Sequence, residues 1–234
     1  MNRINQAAEA ADDVLRLSMD AQATVQVGPC ARGGKSRTLV AAVDHDFQPT
    51  TTLTPVGLLL PAFNALLGYG VTSKVTSDGL ADRLGQWWEA VRARFPHMTT
   101  LVLNVDHGPE NHRHRTQFMQ RMVEFVQQYQ VTMRLAYSPP YHSKDNPMER
   151  CWGILENQGK GSLLDSIDTV LQFAATMTWK GTHPIVALVT TTSQTGVTLT
   201  KEAMEAVEAT IKRLPHLEKW FVDIVPTPVP LWDS

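Results

Sequence analysis

The stretch "TTLVLNVDHG", residues 99–108, is nearly all apolar until it reaches Asp106. It lacks the in-and-out alternation of a strand with one wet face. Such a run predicts a strand covered on both faces, as in the parallel part of a sheet. The segments around it support that reading. "TSDGLADRLGQWWEAVRARFP" places Leu80, Leu84, Trp87, Trp88, Val91 and Phe95 on one helical face, with Ser77 or Asp78 as cap and Pro96 as stop. "RTQFMQRMVEFVQQYQ" does the same with Phe118, Met122, Phe125, Val126 and Tyr129. "VTMRLAYSPP" is a further strand closed by two prolines, and a helix begins at Asn146.

Upstream, "VLRLSMDAQATVQVG" reads as one strand with Leu15, Leu17 and Met19 on one face. "GPCARGGKSR" is a turn, and "RTLVAAVDHDF" is a second strand placed to form a hairpin with the first. "LTPVGLLLP" is a third short strand. Hairpins followed by alternating helix and strand predict an α/β chain with a mixed sheet, parallel towards its later strands. Two more helices, "LDSIDTVLQFAATMTW" and "TKEAMEAVEATIKRLP", follow. Residues 1–13 read as a polar helical tail or linker, 14–160 as the core, 161–224 as C-terminal helices packed on it, and 225–234 as a Pro-rich tail.

Composition narrows the function. The apolar share of the 234 residues is 43%, enough for a packed core, and no run approaches a membrane span. The acidic N-terminus lacks the apolar stretch of a secretion signal, which predicts a cytoplasmic protein. Cys30 and Cys151 are the only cysteines, so a disulfide framework or Cys-rich zinc site is excluded and both are read as structural thiols. A net charge of −2 is not the footprint of a free-standing nucleic-acid binder; DNA affinity would need a local basic face, a metal, or a further segment.

Three acids are candidates for chemistry, each with a plainer alternative. Asp106 ends the most apolar strand, where ligands of open α/β sheets bind, and could equally form an Asx-turn. Asp20 lies inside the first strand, where a polar side chain is costly unless it is paired, coordinating or edge-facing. Glu149, in "YHSKDNPMERCWG", follows the cap Asn146 and Pro147 at the capping-box spacing, and could simply reach back to the cap N–H. If the first strand neighbours the one ending at Asp106, the three carboxylates converge. Such a set suits Mg²⁺ or Mn²⁺, and two such ions about 3.5–4 Å apart activate a nucleophile and stabilise a leaving oxygen at a phosphodiester.

"SMDAQATV", "NVDHGPENH" and especially "PPYHSKDNPMERCWG" resemble the three acidic motifs of the DDE transposases of bacterial insertion sequences, over about residues 14–224. The resemblance implies a ribonuclease-H-like mixed five-stranded sheet flanked by helices, with extra C-terminal helices. It implies Asp20, Asp106 and Glu149 as catalytic, metal-binding residues holding two Mg²⁺ or Mn²⁺ ions. Water would cut the DNA strand at a transposon end, and the freed 3′-hydroxyl would attack target DNA, with the protein acting as a dimer or higher. His107 stands where the second motif usually has Asn. His107, Asn111 and Asn146 are expected in the surroundings of the acids. Arg32, Lys35, Arg37, Arg113, Arg115, Lys144 and Arg150 are expected against DNA phosphates. Family members usually carry an N-terminal helix-turn-helix region that is not legible here. The competing expectations are therefore a truncated, inactive relic serving as a DNA- or protein-binding module, and another metal-dependent ribonuclease-H-like nuclease.

Other features have bland readings. "GGKS" at 33–36 is off the phosphate-loop spacing and precedes a strand, so it reads as a hairpin turn. His107, His112 and His114 would suit a His-metal site, without the Cys or H-E-x-x-H pattern that usually accompanies one. Arg121 reads as a DNA-facing or solvated helix edge, Asp44 and Asp46 as a turn, Trp87 and Trp88 as core, and Trp152 as packing its helix onto the sheet.

Overall fold

A computed structural model of the chain describes residues 2–28, 51–105, 112–138, 146–160, 162–192, 199–215, 217–218 and 220–228. In chain order these form α1 (Asn2–Ala10), β1 (Val14–Ala21), β2 (Val25–Val27), β3 (Thr51–Leu60), β4 (Ala65–Val71), α2 (Ser77–Val91), β5 (Thr100–Val105), α3 (His112–Tyr129), β6 (Thr132–Tyr137), α4 (Pro147–Gly159), α5 (Ile167–Thr176), β7 (Ile185–Val189), α6 (Lys201–Thr210), β8 (Ile211–Arg213) and β9 (Phe221–Ile224). The mixed α/β sheet architecture expected of a ribonuclease-H-like fold is present. The described strands number nine rather than five. None of the described helices is long and apolar enough to cross a membrane. The expected turn at "GPCARGGKSR" and strand at "RTLVAAVDHDF" lie outside the described residues, apart from Gly28.

The chain divides into two compact units, and the division falls within β1, between Leu17 and Ser18. The first unit holds residues 1–17, 76–140 and 194–234. In it β5 and β6 pair in parallel, Thr100 opposite Thr132 through Val105 opposite Tyr137. β9 runs antiparallel to β6, and β8 antiparallel to β9. β1 is the other neighbour of β5. The Asp13 carbonyl accepts from the N–H of Thr99 at 2.9 Å, and Arg16 donates to Asn104 Oδ1 at 2.9 Å. Leu101, Val102, Leu103 and Val105 are all buried, as expected of a strand covered on both faces.

The periodic helices of this unit bury the faces their sequences mark. Leu84, Trp87 and Trp88 of α2 are buried, with Leu80 and Val91 half-buried. Phe118, Met122, Phe125 and Val126 of α3 are buried, and Tyr129 is half-buried. The α2 cap is Thr76, not Ser77 or Asp78. Thr76 is extended, and its side chain accepts from the Gly79 N–H, so the helical dihedrals begin one residue earlier than expected.

The second unit holds residues 18–75 and 141–193. Here Ser18–Ala21 of β1 pairs antiparallel with β3, Asp20 opposite Gly57. β3 folds back as β4 through a 3₁₀ turn at Pro61–Phe63, which Asn64 closes at φ 51°, a conformation Asn tolerates better than most residues. β2 pairs with the start of β3, and β7 pairs in parallel with β4. The sequence reading joined β1 and β2 into one strand; Gln22–Thr24 interrupts them. Two apolar clusters hold helices on this sheet. Leu59, Leu66, Met148, Cys151, Trp152, Met177 and Trp179 anchor α4, while Val25, Val27, Leu53, Leu164 and Val170 anchor α5.

Candidate active site

Within β1, Arg16 and Ser18 are buried as well as Leu15, Leu17 and Met19, so both faces are covered. β1 also has strand neighbours on both sides. Asp20 pairs with Gly57 of β3 on one side of β1. It is half-buried, and its carboxylate is oriented by two donors. Oδ1 accepts from the Ala21 N–H at 2.8 Å, and Oδ2 accepts from the indole Nε1–H of Trp152 at 2.9 Å.

The helix supplying that indole starts as its sequence requires. Asn146 is extended, its Oδ1 accepts from the Met148 N–H at 3.1 Å, and Pro147 takes the first helical turn. The same Oδ1 accepts from the Ser18 hydroxyl, so the cap is also a tie to β1. Asn146 is buried, and its Nδ2 has no hydrogen-bond partner among the described residues. One more tie lies further on: Gln22 Nε2 donates to Glu156 Oε1 at 2.8 Å.

These contacts form a regular pattern. Ser18, Asp20 and Gln22 are spaced by two, so they share one side of an extended chain. Their partners Asn146, Trp152 and Glu156 advance along α4 in the same direction. Glu149 lies between the first two ties. At about 100° per residue, Glu149, Trp152 and Glu156 fall within an arc of roughly 60°. Glu149 thus sits on the side of α4 that faces β1, half-buried, on the first helical turn where the helix dipole favours a carboxylate.

Burial raises the Cys151 thiol from its ordinary 9.0 to about 12, in keeping with a structural cysteine. Asp106, His107, Asn111, Arg32, Lys35, Arg37, Lys144, Cys30, Asp44 and Asp46 lie outside the described residues. Arg113 and Arg115, like His112 and His114, lie on α3, with their side chains outside the description. Arg150 is exposed on α4. Arg121 is engaged within its own unit, donating to Asp82 at 2.6 Å and lying 3.6 Å from both Asp78 and Glu124.

Among the described residues no group of three or more His, Cys, Asp or Glu side chains is arranged to hold a metal. Two of the three expected acids, Asp20 and Glu149, belong to the same unit and to the same β1–α4 pairing. Both are hard oxygen donors, suited to Mg²⁺ or Mn²⁺. A carboxylate accepts at about four lone-pair sites, so the two N–H donors on Asp20 set its plane and are compatible with metal ligation.

Sequence reasoning missed the ties from Ser18, Gln22 and Glu156, and gave Trp152 a packing role only. The spacing-by-two of polar residues at 18, 20 and 22 was the available signal.

The family model described as the Rhodopirellula transposase DDE domain matches residues 1–226. No curated protein and no solved structure matches the chain.

Proposed function

The chain belongs to the DDE transposase domain family, and on that premise we propose that it is a divalent-metal-dependent phosphoryl transferase that cleaves transposon-end DNA and joins the freed 3′-hydroxyl to target DNA. The observation that carries the proposal is the pairing of α4 with β1, which sets Glu149 on the helix side facing the strand of Asp20.

In this reading Asp20, Asp106 and Glu149 hold Mg²⁺ or Mn²⁺, two ions per site. Asp106 directly follows β5, whose neighbour in the sheet is β1. Bound there, two such ions would supply Lewis-acid activation of the phosphodiester, the attacking oxygen and the leaving oxygen. The work of the protein is to hold three acids at fixed positions and to orient DNA. Asn146 fixes the start of α4, and with it the height of Glu149 along β1. His107, the next residue after Asp106, and Asn111, five positions after it, are proposed to orient it. Arg32, Lys35, Arg37, Arg113, Arg115, Lys144 and Arg150 are proposed to contact phosphates, which positions DNA without reading its sequence. Joining two ends calls for a dimer or higher assembly on DNA.

Nicking of supercoiled plasmid and of labelled transposon-end duplex, in Mg²⁺ and in Mn²⁺, tests the proposal. The expected result is cleavage that needs metal and is lost in Glu149→Gln. Cleavage that survives in Glu149→Gln, or its absence from the wild-type chain under all these conditions, overturns it and leaves the non-enzymatic binding module. Cleavage without any joining of 3′-hydroxyl ends leaves a ribonuclease-H-like nuclease instead.

A further inference from the structure

The indole of Trp152 is one of the best-held groups in its unit. It is 4% exposed and packs in a cluster with Leu59, Leu66, Met148, Cys151, Met177 and Trp179. Its position is also set by an absence on the strand beneath. Gly57 of β3 is the cross-strand partner of Asp20. Directly opposed residues project to the same side of an antiparallel pair. A Cβ at Gly57 would come within 2.9 and 3.0 Å of Trp152 Cη2 and Cζ2, and within 2.2 Å of Met148 Cε. On the β3 side of Asp20, therefore, the sheet carries no side chain, and the indole ring fills the space. Its one polar atom, Nε1–H, then meets Asp20 Oδ2 at 2.9 Å.

We propose that Trp152 is a positioning residue for Asp20, holding the carboxylate in the orientation in which it ligates the catalytic metal. The inference rests on the metal-dependent reading above and deepens it. An indole is a donor only, so it can pair with the carboxylate and never competes with it for a cation. Clamped between Gly57 and the α4 cluster, it has little freedom to follow the carboxylate if that swings away. The Ala21 N–H fixes the other oxygen from the backbone. Two rigid donors, one on each oxygen, define the plane of the carboxylate before any cation arrives. Hydrogen-bond partners that orient a metal ligand typically change metal affinity by about 10–100-fold when removed.

The test is Mn²⁺ binding to the full chain, measured by isothermal titration calorimetry, for wild type, Asp20→Ala and Trp152→Phe, with thermal unfolding of each. Phenylalanine keeps most of the ring packing and deletes the N–H. The expected result is a Mn²⁺ dissociation constant raised by about 10–100-fold in a folded Trp152→Phe. A residue that only packs lowers the melting temperature and leaves Mn²⁺ affinity within about twofold of wild type, and that outcome overturns the proposal while the metal-dependent reading stands. Mn²⁺ binding that is absent from wild type, or unchanged in Asp20→Ala, overturns the reading and the proposal together.

If Trp152→Phe fails to fold, ¹⁵N-tryptophan labelling supplies the second measurement. The six indole resonances are assigned from single Trp→Phe variants at the other five positions. The Trp152 indole resonance is expected to shift in Asp20→Ala and to be the indole most broadened by substoichiometric Mn²⁺. An indole that responds to neither overturns the proposal.

Discussion

Ser18 and Asn146, 128 residues apart, meet at a single oxygen: the Asn146 Oδ1 that caps α4 also accepts the Ser18 hydroxyl from β1. The start of the helix and its position along the strand are thus set by one side chain. Asn146→Ala removes both functions. Loss of an N-cap costs about 0.5–2 kcal/mol, and the buried strand tie adds to it. Urea denaturation of Asn146→Ala, Ser18→Ala and the double variant should give a coupling energy of about 0.5–3 kcal/mol. Strictly additive effects would show that the shared oxygen carries no cooperative stability.

Gly57 and Gly68 oppose one another across β3 and β4 and should respond differently to the same substitution. A Cβ at Gly57 strikes Met148 and the Trp152 ring, whereas one at Gly68 meets only Val186 Cγ2 at an ordinary 3.6 Å. Gly57→Ala is expected to lower stability by about 1–3 kcal/mol, as overpacking does. Gly68→Ala should change it by about 1 kcal/mol or less. Melting curves of the two variants check this, and comparable losses would contradict it.

Cys151 gives a pH prediction. Its thiol is raised by burial from 9.0 to about 12, so in the folded chain it stays protonated where the unfolded chain has already lost the proton. With the folded pKa above the unfolded one, the contribution to stability is full below about pH 9 and is lost as pH rises towards 12. In a Cys30→Ser background, iodoacetamide at pH 8 should label Cys151 only on unfolding. Rapid labelling of the native chain would refute this placement.

Arg121 lies within reach of Asp78, Asp82 and Glu124, and so serves the α2–α3 contact rather than a DNA-facing edge. At about one-third exposure, Arg121→Ala should cost about 0.5–1 kcal/mol, with the loss shrinking as salt rises. The salt dependence of DNA binding should be unchanged by the substitution. A shallower slope of log K against log salt would return Arg121 to the nucleic-acid surface.

The sequence made the long helices and the paired strands β5 and β6 readable, because their burial follows a helical period or an unbroken apolar run. β4 was invisible for a physical reason. Gly68 and Gly70 break its apolar pattern, and a Cβ at Gly70 would come within 2.8 Å of Leu171 and 2.9 Å of Leu53. The short strands β7, β8 and β9 are defined by pairing with distant partners, and three to five residues carry too little periodicity to declare them. At the candidate site the Asn146 cap was legible, since capping is a local matter. The ties between β1 and α4 were not, because each joins residues more than 120 positions apart and leaves no local trace beyond the polar spacing at Ser18, Asp20 and Gln22.

The pairing of β1 with α4 treats changes of residue and changes of length very differently. A strand repeats every two residues and a helix every 3.6, so the two repeats match along this contact only in their present alignment. One residue inserted between Ser18 and Asp20 would turn Asp20 to the opposite side of the strand. One inserted between Asn146 and Trp152 would rotate the indole by about 100° away from it. Relatives of this chain should therefore vary freely in loop length on either side of 18–22 and 146–156, and show no insertions or deletions within those two windows.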